Sequence, residues 1–404
     1  MIAEAPMSRT TTGNPTREIE SSEDLCAMVR ECTERKMSIV DYGVAHAGLG
    51  HPPPNEHLRL VQKGTVLEHY NRDMTVRAAA GTSMGELQAE LAEHDQFVPI
   101  DADPDMTLGE VICHNVYGPM RVAYGSIRDL LLGLSYVDGA GHQIAVGGRT
   151  VKNVAGYDVS RFMVGSLGEL GIVYEAIVRT YSIPDRVVVI RLQSDEPSQV
   201  DSMLTDWLLS DAAPAWLFLN MSDGSATLRL GYFGRSAACE VQVRALENLI
   251  KDRPKLSIIS TATRSAPDDA TDRATRRRWR REATALCKIV VPPATTGSVC
   301  QRLAEWARDR TMVNIDGLPM HGCIFIGGTI DAALAGELDR VIATIVDPLP
   351  GFRVWYQRPE GTESMSPFAP QPTDYAMLTR LKEAMDPQGL FNPGRLIRPE
   401  SVTS

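Results

Sequence analysis

Glycine gathers at a few points in the first half of the chain: Gly43, Gly48 and Gly50; Gly81; Gly147 and Gly148; and Gly165, Gly168 and Gly171. Glycine lets the backbone take positive φ and lets a ligand approach the amide groups. Taken singly, each cluster reads equally as an ordinary turn. Taken together, they suit one extended, phosphate-bearing ligand touched by many backbone donors. The sharpest of them is GSLGELGIV, residues 165–173, between a short helical pattern and a β-branched run. A nicotinamide-type dinucleotide fingerprint runs strand, GxGxxG, helix. Here the glycines lead into a strand instead, which argues for a different dinucleotide cradle. Upstream, KNVAGYD places Lys152 and Asp158 in one loop, either facing a ligand or fixing the loop as an internal ion pair. Tyr157 beside them reads as packed.

Other reactive residues do not assemble into sites. His114 with Cys113, and His321 with Cys323, lack the three or four ligands that zinc needs. The seven cysteines form no CxxC, which argues against a disulfide framework and a cysteine-ligated iron–sulfur cluster. Arg276, Arg277, Arg278, Arg280 and Arg281 surround Trp279. That run reads as a solvated helix face, with a docking patch for an acidic partner as the other reading.

Elements must position these groups. Ser22 begins a helical pattern, and SIV at 38–40 reads as a strand. VLEHYNRDMTVRAAAG reads as two strands turning at Asn71 to Asp73. Ser83 with Glu86, and Thr107 with Glu110, have capping-box spacing. A hairpin is expected around Asp138 to Gly141, and one strand over 172–184 ended by Pro184. After Pro184 the order strand, helix, hairpin, helix suits an α+β unit with an antiparallel sheet. The stretch 254–275 reads as a polar loop, and 360–372, with its prolines, as a linker.

With 404 residues, two domains are expected. The net charge of -10 speaks against nucleic-acid binding. The first residues hold no apolar core of signal-peptide length, and no apolar run reaches transmembrane length. A cytoplasmic protein without a transmembrane segment is expected, with peripheral attachment to an inner-membrane complex left open.

GGRTVKNVAGYDVSRFMVGSLGELGIVYEAIVRTY, residues 147–181, resembles the signature of FAD-linked oxidases of the vanillyl-alcohol oxidase and p-cresol methylhydroxylase superfamily. Within it the chain looks most like the FAD-binding subunits of glycolate oxidase. VRAAAGTSMGEL, DPDMTLGEVICHNVYGPMRVAYGSIRDLLLGLSYVDGAG and DPQGLFNPGRL match further segments, so the likeness covers 22–184 and 376–396. It implies an α+β fold: a two-subdomain FAD-binding domain of p-cresol methylhydroxylase type at 22–184, and an α+β cap domain with an antiparallel sheet at 185–360. Residues 1–21 would form a flexible tail, and 361–404 a linker and C-terminal segment returning to the FAD domain.

The resemblance also implies a ligand set for non-covalent FAD. The first pyrophosphate loop falls at Tyr42, Gly43, Val44, Ala45 and His46. Only Gly43 of its glycine run is kept, and Val44 and Ala45 add side chains where a phosphate would approach. Gly81, Thr82, Thr107, Leu108, Gly109, Tyr124, Gly125, Gly165, Gly168, Gly171, Ile172 and Val173 match the other contacts. Lys152 and Asp158 lie toward the flavin side, and Asn392 closes it. A second glycine after Gly109 is replaced by Glu110, which either repels a pyrophosphate, points away, or caps the helix with Thr107. The implied activity is FAD-dependent oxidation of a small 2-hydroxy acid to a 2-oxo acid. Electrons would pass to an iron–sulfur subunit in a complex with a larger flavin chain. The altered loops favour a second reading, a non-catalytic structural subunit that has weakened or lost FAD binding.

Overall fold

The computed structural model describes residues 16–41, 57–148, 160–194, 198–208, 212–222, 225–253, 255–264, 282–310, 312–362, 364–370 and 373–395, together with 196, 210 and 280. Tyr42, Gly43, Val44, Ala45, His46, Lys152, Tyr157 and Asp158 lie outside the described residues, as do Arg276, Arg277, Arg278, Trp279 and Arg281.

The chain opens with β1 (Thr16–Ile19), α1 (Ser22–Arg35), β2 (Ser38–Asp41) and β3 (His57–Gln62). The strands form a parallel sheet in the order β1-β3-β2. Part of the expected polar tail is therefore a strand: Thr16–Ile19 pairs with Arg59–Gln62, and Ile19 is buried. Ser21, one residue before the expected cap, accepts the Asp24 N–H at the start of α1. Leu25, Met28, Val29 and Cys32, at helical spacing, bury against Ile39, Leu58 and Leu60.

Next come β4 (Val66–Tyr70), β5 (Thr75–Ala79), α2 (Met84–Ala92), β6 (Gln96–Phe97), α3 (Leu108–Cys113), α4 (Arg121–Tyr124), α5 (Ile127–Leu130), β7 (Leu131–Val137), β8 (Gln143–Gly147), α6 (Ser160–Met163), β9 (Ile172–Arg179) and β10 (Tyr181–Ser182). Five strands form an antiparallel sheet, β4-β5-β9-β7-β8. Its inward residues Val76, Ala78, Leu134, Ala176 and Val178 pack with Leu87 and Leu91 of α2 and Leu108, Val111 and Ile112 of α3. The strand expected over 172–184 breaks at Thr180. The hydroxyl of Thr180 donates to Gln96 Oε1 at 2.6 Å, and Tyr181–Ser182 pairs with β6 instead.

The remaining strands are β11 (Arg186–Ser194), β12 (Trp216–Ser222), β13 (Ser225–Gly234), β14 (Leu256–Arg264), β15 (Ala285–Val290), β16 (Val313–Leu318), β17 (Cys323–Gly328), β18 (Phe352–Gln357) and β19 (Phe368–Ala369). They form one antiparallel sheet, β14-β11-β13-β12-β16-β17-β15-β18-β19. One face is covered by α7 (Gln199–Leu208), α8 (Ser236–Ile250), α9 (Thr296–Ala307) and α10 (Ala332–Val346), over a core that includes Trp207 and Trp355. The other face carries Val187, Val189, Trp216, Phe218, Leu318 and Cys323, and against it packs Tyr117 from the loop after α3. Two expectations change here. Leu256–Arg264 is an edge strand, not a loop, and Phe368–Ala369, within the expected linker, pairs with β18. Finally α11 (Tyr375–Met385) leads the chain back: the Ile39 N–H donates to Leu390 O, and the Asn392 N–H to Ile39 O.

Candidate functional site

The parallel and five-stranded sheets meet along a seam that holds most of the sequence-derived candidates. Gln62 Nε2, at the end of β3, donates to the Val173 carbonyl at 2.9 Å. Gly81 lies so close to this strand end that a Cβ there would run into the Gln62 carbonyl oxygen. Thr82 is locked beside it: its hydroxyl donates to Thr65 O at 2.8 Å and accepts the Thr65 N–H at 2.9 Å.

The start of α3 sits on the same backbone. Leu108 N–H donates to Thr82 O, and Gly109 N–H to Ala80 O. Thr107 and Glu110 form the capping box that their spacing allows: the Glu110 carboxylate accepts the Thr107 N–H at 2.7 Å, and Thr107 Oγ1 accepts the Glu110 N–H at 3.2 Å. Of the roles open to Glu110, the structure shows the cap. At the start of α2, Ser83 and Glu86 make the same box, and the next amides donate to Met106 O and Pro104 O. A helix N-terminus attracts anions through free N–H groups and its dipole. Both of these helix starts have spent their first donors internally, and each carries a carboxylate.

The 165–171 turn continues the seam. Gly165 and Gly168 hold φ of +81° and +72°, a region that a side chain disfavours. Gly165 N–H donates to Ile112 O, and Leu167 N–H to Cys113 O, which clips the turn to the end of α3. At Gly171 a Cβ would press on the Tyr136 ring at 2.9 Å. Ile172 and Val173 are buried at the start of β9, in different cores. Asn392 completes the group, its Nδ2 donating to Leu167 O at 3.1 Å. Lys382, Asp386 and Phe391 anchor this returning segment: the Lys382 ammonium donates to Glu169 O, Asp386 Oδ2 and Phe391 O.

One observation bears on whether a cofactor fits here. Asn115, at φ +49°, has a buried Oδ1 with no hydrogen-bond partner. It stands beside Gly165, where a Cβ would meet only Asn115 Cβ, at 3.5 Å. A buried acceptor without a donor is costly. A cofactor N–H in that space would satisfy it, so the seam fits a bound dinucleotide.

Tyr124 and Gly125 lie apart from the seam. The Tyr124 ring packs edge-on with Phe97 at 5.6 Å and Tyr181 at 4.9 Å, and it reaches Phe233 of β13 at 6.1 Å. Burial pushes its phenol pKa up. Gly125, at φ +84°, follows α4.

Sequence reasoning missed a second polar cluster, on the face of the nine-stranded sheet that meets the loop after α3. Lys288 Nζ lies 4.6 Å from the Tyr117 ring centroid, and the Arg121 guanidinium 4.8 Å from the same ring. Tyr117 Oη donates to Cys323 Sγ at 3.6 Å, and His321 packs edge-on to the ring. Burial, with help from Arg121, lowers the His321 pKa to about 4, so the imidazole is neutral near pH 7. Burial pulls the Lys288 ammonium down, but Tyr356, Cys323 and Tyr117 more than offset it, and it stays a cation. On the same sheet, fully buried Asp316 accepts from Asn220 and pairs with Arg280 at 3.0 Å. Arg280 also lies over the Phe325 ring at 3.9 Å, so this member of the basic run is not on a solvated face. The available signal was a charged residue inside an apolar strand: Lys288 in ALCKIV and Asp316 in VNIDGL.

Two surface hollows touch neither cluster. One, of about 460 Å³, is an open groove between α9 and α10. The other, of about 370 Å³, lies on the five-stranded sheet around Arg77 and Glu175. Among the described residues, no helix is long and apolar enough to cross a membrane, and no group of three or more His, Cys, Asp and Glu is placed to hold a metal ion.

Comparison with known proteins gives this geometry a context. Residues 16–161 match the FAD binding domain family. The chain is 29% identical over 197 residues to glycolate oxidase subunit GlcE of Escherichia coli, covering 48% of this chain and 56% of that protein. It is 31% identical over 172 residues to the mitochondrial D-lactate dehydrogenase [cytochrome] of Arabidopsis thaliana, covering 42% of this chain and 30% of that one. The chain thus spans between about a third and just over half of the length of these relatives. Among solved structures it superposes on the glucooligosaccharide oxidase of Acremonium strictum with a TM-score of 0.71 at 14% identity, covering 96% of this chain and 92% of the other. A VAO-type flavoprotein from Myceliophthora thermophila gives 0.69 at 14% identity, covering 94% and 78%. Residues 16–161 are therefore similar to the FAD binding domain family, and the chain as a whole has the α+β fold seen in the VAO-type flavoproteins.

Proposed function

We propose that this chain is the FAD-binding subunit of an oxidoreductase complex that converts a small 2-hydroxy acid to a 2-oxo acid. The observation that carries this reading is the likeness to glycolate oxidase subunit GlcE over 197 residues. In this reading 22–184 forms the flavin domain, 185–360 the cap, and 361–404 the segment that returns to the flavin domain. FAD is held non-covalently in the seam, against Gly81 and Thr82, the turn from Gly165 to Gly171, the start of β9 and Asn392. By the sequence resemblance, the pyrophosphate loop is Tyr42 to His46, and Lys152 and Asp158 serve the flavin side. When bound, FAD accepts the two electrons that leave the substrate carbon. The chain's own residues hold the cofactor, exclude water at the seam, and present the polar face of the nine-stranded sheet to the substrate. Electrons leave through a larger flavin chain and an iron–sulfur subunit.

The spent amides of α2 and α3 favour a second reading, a structural subunit whose cofactor grip is weakened. A visible spectrum of the purified chain separates the two. A flavin band near one FAD per chain, released by acid or heat, supports the first reading. A colourless protein that stays colourless with added FAD and with its partners overturns it. Flavin that stays attached after denaturation would show a covalent link instead.

A further inference from the structure

The groove between α9 and α10 lies on the helix-covered side of the nine-stranded sheet, away from the face that meets Tyr117. Its hollow of about 460 Å³ combines two kinds of surface. Val341 and Ile345, one helical turn apart on α10, form an apolar floor; Ile345 is buried and Val341 is half-buried. Arg302 of α9 and Arg340 of α10 line the same groove from its two walls, and both are exposed. Neither makes an ion pair among the described residues; Arg340 Nε donates to Gly336 O of its own helix at 3.3 Å. Two carboxylates border the groove. Glu337 is already held by Trp306 Nε1 and by Arg310, both at 2.8 Å. Glu305 accepts from Gln301 Nε2 at 3.4 Å. With Glu337 balanced by Arg310, Arg302 and Arg340 face Glu305 alone, which leaves one cation in excess in a chain whose net charge is -10. Exposed arginines are well solvated, so charge alone calls for no partner. What singles these two out is their placement on either side of an apolar floor.

We infer that the groove between α9 and α10 docks an amphipathic, acidic helix of a partner protein. A groove between two helices accepts the side-chain ridge of a third, read as apolar anchors at i and i+3 or i+4. Those anchors seat over Val341 and Ile345. Carboxylates beside them meet Arg302 and Arg340, whose planar guanidinium groups suit bidentate pairing. Charge complementarity selects the occupant, because a basic or uncharged helix would cover both cations without a counter-charge. Docking here leaves the seam around Gly165 to Val173 uncovered, so the partner and a cofactor do not compete. The inference does not rest on the proposed function, which concerns that seam.

The test is photo-cross-linking of the full-length chain in the cells that make it. The photoreactive residue p-benzoylphenylalanine replaces Thr344, which lines the groove and is exposed. After irradiation the chain is purified, and the peptide attached at position 344 is sequenced by mass spectrometry. The expected product is one segment of a partner protein, with Asp or Glu beside apolar residues at helical spacing. Arg302→Glu combined with Arg340→Glu should lower the cross-link yield by about tenfold or more, the scale of lost charge-assisted pairs. Arg302→Lys with Arg340→Lys keeps the charge but not the bidentate fork, so its yield should fall between the two. Thermal melting checks that the variants, all at exposed positions, are folded. No cross-link from position 344 overturns the inference. So does an attached segment without acidic residues, or a yield that charge reversal leaves unchanged. A cross-link to a second copy of this chain also overturns it, since the groove then joins copies. The proposed function fails on a different readout, the flavin spectrum. A colourless chain that still cross-links keeps the docking site, and a flavin-loaded chain that never does loses it.

Discussion

At the scale of single residues, the chain uses polar groups mostly to close its own backbone, and the exceptions mark the sites. Glu110, which the sequence resemblance sets where a glycine is expected, has its carboxylate engaged by the Thr107 N–H. His321 is the opposite case, a titratable group held out of its preferred state. Its pKa falls from 6.5 to about 4 through burial and the Arg121 cation. In the unfolded chain it takes up a proton near pH 6.5; in the folded chain it resists until about pH 4. Its contribution to stability is therefore complete above pH 6.5 and is lost as the pH falls through the window down to 4, by on the order of 1–3 kcal/mol. His321→Gln should flatten the drop in melting temperature between neutral pH and about pH 5. If the parent and variant lose stability in parallel across that window, another group carries the acid sensitivity.

At the scale of elements, the grip of the C-terminal segment on the glycine-rich turn depends on one buried cation. Lys382 joins α11 to Glu169 O and Phe391 O while neutralising Asp386, which is 2% exposed. Lys382→Met keeps the apolar stem but leaves that carboxylate without its charge partner, at a cost of about 3–5 kcal/mol. The melting temperature should fall by several degrees, and limited proteolysis should begin beyond α11. An unchanged melting temperature would mean that the segment is held by the Leu390 and Phe391 packing alone.

Local chemistry explains which elements were legible in the sequence. Both capping boxes and the hairpin turns were readable, because each is encoded by residues a few positions apart. The edge strand Leu256–Arg264 was not. Apart from Leu256 it is largely exposed, so it shows no burial pattern, and it is held by its ladder to β11. Thr16–Ile19 was hidden for a related reason, since a short strand acquires its meaning from a partner about 40 residues away. The Tyr117, Arg121, Lys288 and His321 cluster is harder still. Its members are separated by up to two hundred residues and meet only when the sheet docks on the loop.

At the scale of the whole molecule, that docking decides whether the flavin domain and the nine-stranded sheet behave as one body. Among the described residues, the contacts that join them include Tyr117, packed against the cluster of Val187, Val189 and Phe218, and Tyr124, bridging Phe97 and Tyr181 to Phe233. In the proposed function, FAD bound to the folded protein stabilises it by mass action, about 2.7 kcal/mol at one hundred times its dissociation constant. If the two halves unfold together, that gain is shared, and the single calorimetric transition moves as a unit. Tyr124→Ala removes three ring contacts, each aromatic pair contributing about 0.5–1.5 kcal/mol beyond its buried area, without touching the seam that holds Gly165 to Val173. The expected result is two transitions in the variant, with only the flavin half responding to FAD. If both halves of Tyr124→Ala still rise together when FAD is added, the coupling runs through Tyr117 and its packing on the nine-stranded sheet.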